Sequence, residues 1–291
     1  MRLIIEKPEL DPFIEARVRR WSPTVHYLSQ TEVHVYALAI AASVLLSFFP
    51  FLIVMVTLLR DVLHFKTAES ALFYALRDYF PGELASLIQK NLTKVTHERF
   101  QVTSLVLLLF TANGIFEPLE VALNRAWGVA KNRSYIGNQI LSLFMILLCG
   151  GLALGSIVLT ALNPEFVKGD LLKMFAFKIA AIPITILSLF LTYWILPNRR
   201  VPVARVIPVA AVVGLGMEVL KYVFLWAWPW LNAKFRNEYG DVFKYSISVI
   251  LFSMLTSFLV LAGAEWSARP EGSSHNERAV ARKEQPANQS L

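Results

Sequence analysis

Glu218 and Lys221 stand three residues apart inside an otherwise apolar run. On a helix that spacing puts both on one face. An ionisable side chain at membrane depth costs roughly 2.5–3.5 kcal/mol on insertion scales, so it normally faces protein or water. The two groups therefore either neutralise each other as a pair that fixes packing, or line a polar cavity that a substrate uses. A second constellation surrounds the end of another apolar run: Asn113, Glu117, Glu120, Asn124, Arg125 and, beyond Trp127, Arg133. Glu117, Glu120 and Asn124 fall at i, i+3 and i+7, which a continuing helix presents as one polar stripe. Pro118 is placed to kink that helix. The plainer reading is a solvated helix end with Trp127 as an interfacial anchor.

The residue types that usually carry catalysis do not gather in the sequence. His26, His34, His64, His97 and His275 are scattered over the termini and loops, and no two sit at the i, i+4 spacing of a helical zinc site. Cys149 is the single cysteine, in the middle of an apolar run, where it is expected to act as a small hydrophobe. No GxSxG, Walker loop or glycine-rich dinucleotide fingerprint is present. These patterns argue against an enzyme and imply neither metal nor cofactor, although a hydrolase could still assemble a site from separate helices.

The elements that must position these groups are visible in the charge distribution. Of 291 residues, 56% are hydrophobic and 17% charged, against about 25% charged in soluble domains, and the mean hydropathy is +0.52. The charges cluster and leave six long apolar runs, at about 35–59, 100–116, 136–162, 179–196, 206–230 and 245–264. A hydrocarbon core about 30 Å thick takes about 20 helical residues to cross. The expected fold is therefore all-α: a polytopic bundle of about six transmembrane helices, with the second and fifth tilted, broken or partly re-entrant. The formal charge of +7 sits in loops beside the spans, where anionic lipid headgroups explain it better than nucleic acid. The expected partners are membrane lipids and envelope-biogenesis proteins, with oligomerisation left open.

Six spans put both termini on one side with the 117–135 and 197–205 loops. That side holds 15 Lys and Arg against 12 on the other, and the short loop after Leu196 carries Arg199, Arg200 and Arg205 with no acid. Both termini are accordingly expected in the cytoplasm. No cleavable signal is apparent, and the first span is expected to serve as an uncleaved insertion signal. Residues 1–34 form a cytoplasmic arm in which Ile14, Val18, Trp21 and Val25 share a face with arginines between them. Such a helix lies on the inner leaflet or packs against the protein's own loops. The transmembrane domain is expected over 35–266. Within it, 60–99 reads as two short extracytoplasmic amphipathic helices, the second built on Leu84, Leu87, Ile88, Leu92 and Val95, capping the bundle or contacting lipid. The composition of 267–291 predicts a disordered cytoplasmic tail. Gly151-x-x-x-Gly155 is expected to allow close helix approach, Pro50 after Ser47 and Pro183 to kink their helices, and Trp226, Trp228 and Trp230 to form an aromatic belt.

Five segments, in order over roughly 30–268, resemble one family. They are Ala41-Ala42-Ser43-Val44-Leu45-Leu46-Ser47-Phe48-Phe49-Pro50-Phe51-Leu52, Ala122-Leu123-Asn124-Arg125-Ala126-Trp127-Gly128, Leu196-Pro197-Asn198-Arg199-Arg200-Val201-Pro202, Tyr239-Gly240 and Gly263-Ala264-Glu265. These are similar to motifs of the YihY/BrkB (virulence factor BrkB-like) family. The resemblance implies a six-helix, multi-pass protein of the bacterial inner membrane, with Ser47, Pro50, Pro197, Asn198, Arg199, Gly240, Gly263 and Glu265 as structural motif positions. Members have carried a tRNA-processing ribonuclease label widely regarded as mistaken, and others are linked to serum resistance or to transport of lipids and envelope components. Asp241, Phe243 and Lys244 make the segment after Gly240 more polar than the family pattern. The expected function is transport of a lipid or other amphiphilic or anionic envelope molecule. The substrate-pathway candidates are the charged pair and the Asn113–Arg133 group. The rival expectations are a non-catalytic scaffold for envelope machinery and a membrane-embedded hydrolase or nuclease.

Overall fold

The computed structural model describes residues 23–62, 64, 72–73, 76, 86, 89–90, 101–129, 133–161 and 171–269. The N-terminal arm up to 22, most of 63–100 including Leu84, Leu87, Ile88, Leu92 and Val95, and the tail from 270 lie outside them. Six helices occupy the six apolar runs: α1 Thr31–Thr57, α2 Gln101–Ala126, α3 Tyr135–Ala161, α4 Leu171–Ile195, α5 Val203–Gly240 and α6 Phe243–Ala268. The described residues contain no strand. A segment in lipid must satisfy its own backbone hydrogen bonds, and within one segment only a helix does so.

Thr31–Asp61, Tyr135–Gly155, Val203–Gly240 and Phe243–Ala268 are long and apolar enough to cross a bilayer, and α4 contributes the shorter apolar stretch Ile182–Ile195. The chain is an all-α membrane helix bundle. Helix α1 is flanked by α2 and by the α5–α6 pair, α4 packs on α5–α6, and α3 bridges α2 and α4. One continuous core joins Ala37 and Ile40 of α1, Ala122 and Leu123 of α2, Tyr193 of α4, Val209 and Val213 of α5, and Leu261 and Ala264 of α6. Large apolar residues such as Leu46, Phe110, Ile140, Leu147 and Val219 point outward, as they must where the surrounding solvent is hydrocarbon. A second core at the far end joins Leu52, Val56 and Leu59 to Val249 and to Leu72 and Leu76. Leu72, Phe73 and Leu76, the residues of the first expected amphipathic helix that the structure describes, pack in this core.

Helices α2 and α5 are continuous. Helix α2 runs through Pro118 to Ala126, and α5 runs through Pro208 and Pro229 over 38 residues. At 1.5 Å per residue that is about 57 Å, well beyond a hydrocarbon core of about 30 Å. The excess carries the exposed Lys234–Glu238 pair at 2.9 Å. Gly240, at φ 75° and ψ 174°, separates α5 from α6 in a backbone region that is essentially closed to other residues. In α1, the Ser47 hydroxyl donates to the Ser43 carbonyl at 2.8 Å, not to the Leu46 carbonyl that Pro50 leaves without its usual donor.

Two expectations about packing faces are corrected. Gly151 and Gly155 are exposed, with nothing described within 4 Å of a Cβ built on either, so the G-x-x-x-G of α3 seats no described helix of this chain. The close approaches lie elsewhere. A Cβ on Gly263 would collide with the Tyr193 hydroxyl and come within 2.6 Å of Val213, and one on Gly114 would collide with Ser43. The three tryptophans also divide: Trp226 and Trp230 are exposed, whereas Trp228 is buried and stacks with Tyr245 at 6.5 Å. Two residues along a helix is about 200° around it, so one belt cannot hold all three.

Gly263→Leu should destabilise the bundle by about 1–3 kcal/mol through overpacking, while Gly151→Leu should stay within about 0.5 kcal/mol of the parent. Thermal unfolding in detergent measures both, and equal losses would contradict this assignment of faces.

Candidate functional site

The alternation of the six helices brings the C-terminal ends of α2, α4 and α6 together with the N-terminal ends of α1, α3 and α5. At this end the polar residues of the second constellation meet. Helix α2 stops because Gly128 adopts φ 66°, which lets the Gly128 N–H reach the Arg125 carbonyl at 3.0 Å and the Val129 N–H reach the Asn124 carbonyl at 2.8 Å. This is a Schellman cap with glycine in its left-handed position. Helix α3 starts behind Ser134, whose Oγ accepts the Gly137 N–H at 3.3 Å.

Between those caps, Arg133 turns back into the protein. Its Nη1 lies 3.1 Å from Glu120 Oε1, and the Glu120 side chain is 2% exposed. The same guanidinium donates to the carbonyls of Leu196 at 2.6 Å, Pro197 at 3.3 Å and Ile195 at 3.4 Å. It thereby caps the C-terminus of α4, where the helix dipole favours a cation. Asn124 completes the junction. Its Nδ2 donates to Glu120 at 3.3 Å, and its Oδ1 accepts the Asn198 N–H at 2.7 Å. Arg199 donates to the Trp127 carbonyl at 3.0 Å and places its guanidinium 6.0 Å from the centre of the Trp127 ring. The segments 122–128 and 196–202, about 70 residues apart in sequence, therefore form one hydrogen-bonded unit.

A cavity of about 720 Å³ opens beside this unit, lined by Arg133, Trp194, Ile195, Pro197, Asn198, Arg199, Arg200 and Val201. Its charged lining is three arginines. Glu120 balances the first of them. On the other flank Glu265 receives both the Nε and Nη2 groups of Arg269 at 2.8 Å. It also accepts the Thr24 hydroxyl at 2.9 Å, and Arg269 in turn donates to Thr24. Arg125 pairs with Glu32 of α1. Tyr27 packs in the core nearby; burial, reinforced by Tyr36 and Glu265, pushes its hydroxyl up to about 12, so it stays protonated at physiological pH.

The intramembrane pair is separate from this end. Lys221 Nζ lies 2.6 Å from Glu218 Oε2, with the side chains 3% and 14% exposed, and 5.0 Å from the Tyr222 ring centre. Glu218 is 15 residues from the start of α5 at Val203, about 22 Å along the axis. Lys244, at the start of α6, is buried too, with Nζ 4.9 Å from the Tyr245 ring centre.

Glu120, Asn124 and Arg133 are thus brought together, and Pro118 does not disturb the alignment of the first two. Glu117 is half-buried one turn earlier on α2, and Arg125 turns away toward α1. The side chains of Asn113 and Asp241 lie outside the described residues. Trp127 is no interfacial anchor: it is 6% exposed and belongs to the core, whereas Trp194 is 44% exposed. Arg199 was expected as a structural motif position and, with Arg200, as a signal of orientation, whereas nothing in the sequence singled out Trp194, Thr24 or Arg269. The adjacent arginines beside an asparagine in a short acid-free loop were the available cue. Among the described residues no three His, Cys, Asp or Glu side chains are grouped to hold a metal ion.

The virulence factor BrkB family model matches residues 24–288 of the chain. The chain belongs to the virulence factor BrkB family. A UPF0761 membrane protein of Acinetobacter baylyi is 27% identical over 241 residues, covering 80% of this chain and 57% of the relative. A UPF0761 membrane protein of Pseudoalteromonas translucida is 23% identical, covering 92% and 91%. A Bacillus subtilis protein named as ribonuclease-like, YfkH, is 24% identical, covering 77% of this chain and 85% of its own length. The chain therefore spans little more than half of the Acinetobacter relative. No solved structure matches. The family match covers both segments of the Asn124–Asn198 junction.

In this BrkB-family chain, Arg133→Met leaves Glu120 buried without its cation and α4 without its cap, and should destabilise by about 3–5 kcal/mol. Adding Glu120→Met should recover part of that loss. A double-mutant cycle by thermal unfolding measures the coupling, and strict additivity would contradict the junction.

Proposed function

We propose that this BrkB-family membrane protein is a transporter-like protein of the bacterial cytoplasmic membrane that moves an anionic amphiphile, with membrane lipid as its immediate partner. The observation that carries this reading is the Glu218–Lys221 pair at 2.6 Å, buried part-way along α5. Charges at that depth are costly to insert, and packing alone could be served as well or better by apolar residues of similar volume. Retaining them there fits a polar step for a charged group crossing the bilayer. The arginine-rich end of the bundle, read as cytoplasmic from its short basic loop, adds a place where an anion can be gathered before that step.

The nuclease reading attached by name to YfkH is tested on the same preparation, as cleavage of RNA by purified protein. Translocation of fluorescent acidic and neutral lipids is followed in proteoliposomes. The double variant Glu218→Gln/Lys221→Met removes both charges at little cost in volume and should remain folded. It should move acidic lipid at least about tenfold more slowly, equivalent to about 1.4 kcal/mol on the barrier. A folded double variant as active as the parent, or a parent inactive across a broad lipid panel, would overturn the proposal.

A further inference from the structure

The cavity at the basic end has the composition of an anion site joined to an apolar track. Its three arginines differ in what they have left to offer. Arg133 is committed to Glu120 and three carbonyls. Arg199 uses one Nη group on the Trp127 carbonyl. Arg200 is exposed and makes no hydrogen bond or ion pair with any described residue. A guanidinium carries five N–H donors in a fixed fork, so this pair presents a surplus of cationic donors with a geometry suited to phosphate oxygens.

The loop that carries the pair is held in place before any ligand arrives. Asn124 fixes the Asn198 N–H, Arg133 fixes the carbonyls before it, and Pro197 and Val201 are buried on either side. Little ordering then remains to be done on binding, which is the condition for affinity from few contacts. The volume, about 720 Å³, suits a headgroup, since small-molecule sites run to roughly 300–1,000 Å³.

The apolar wall tells which phosphate. Trp194 lines the cavity, stacks on Phe190 at 5.9 Å, and Leu187 follows on the same helix face. Trp194 and Leu187 are 44% and 42% exposed. This strip leads from the arginines along α4 toward the membrane interior. A soluble anion or a nucleic acid backbone has no use for such a track, whereas an acyl chain does. We infer that the cavity formed by Asn198, Arg199, Arg200 and Trp194 is a docking site for the phosphate headgroup of an acidic lipid, with its chain laid along the Trp194–Phe190–Leu187 face.

This deepens the transport reading by naming the substrate class and its point of capture, but binding is measured without translocation, so either can fail alone. The full-length protein in detergent is titrated with dioleoyl phosphatidic acid, dioleoyl phosphatidylcholine, inorganic phosphate and an RNA oligonucleotide, read by native mass spectrometry. Phosphatidic acid should bind at least about tenfold more tightly than phosphatidylcholine, a difference of about 1.4 kcal/mol. Arg200→Gln should abolish that preference with an unchanged melting temperature, because Arg200 holds no other described residue in place. Arg200→Lys keeps the charge and loses the fork, so it should weaken binding several-fold rather than restore it. Unchanged preference in Arg200→Gln, or full affinity in Arg200→Lys, would overturn the site. So would displacement of the lipid by inorganic phosphate at equal concentration, or tighter binding of the RNA.

Discussion

The contact between the Arg133 guanidinium and the buried Glu120 carboxylate, 3.1 Å apart, is the constraint around which the basic end of the bundle is built. A carboxylate 2% exposed is tolerable only with a cation and further donors at hand, and Arg133 and Asn124 supply them. The same arginine closes the C-terminus of α4, so one side chain ties α2 and the start of α3 to the α4–α5 loop. Because helices in lipid gain little from hydrophobic association, such polar ties and close packing carry more of the burden of holding helices in register. Gly263, beneath Tyr193 and Val213, performs the packing half of that work.

Two polar regions of different character stand out among the described residues. At the basic end, charges are numerous, partly exposed and joined through backbone carbonyls, which makes a rigid platform. Part-way along α5 there is one tight pair, Glu218 and Lys221, with an aromatic ring beside the ammonium. These two features are the ones on which the proposed transport reading rests. In the proposed lipid site, the apolar strip on α4 is where the hydrophobic tail lies while the headgroup is held.

Much of the architecture was legible in the sequence. Six apolar stretches, five of them without charge and the fifth broken only by Glu218 and Lys221, became six helices, since lipid leaves the backbone no other local solution. The ends were less legible. The apolar runs stop near 116 and 230, but α2 continues to Ala126 and α5 to Gly240, because a helix leaving the membrane keeps its hydrogen bonds after its side chains turn polar. Facing was least legible. Gly151 and Gly155 have the spacing of a contact pair and point outward, Gly263 has no such signature and sits at a three-helix contact, and the interfacial role expected of Trp127 does not survive its burial. Motif order pointed to segments 122–128 and 196–202, while only their folding together explains them: a glycine cap on one side and a loop pinned by Asn124 on the other. Arg200 enters the proposed site because it bonds to no described residue, which no spacing rule can display.

The most direct test of this account is an experimental structure of the protein in nanodiscs of acidic phospholipid. Headgroup density is expected between Arg199 and Arg200, with phosphate oxygens at about 2.7–2.9 Å from guanidinium nitrogens and chain density along Trp194 and Phe190. An empty cavity, with ordered acidic lipid bound elsewhere on the bundle, would contradict it.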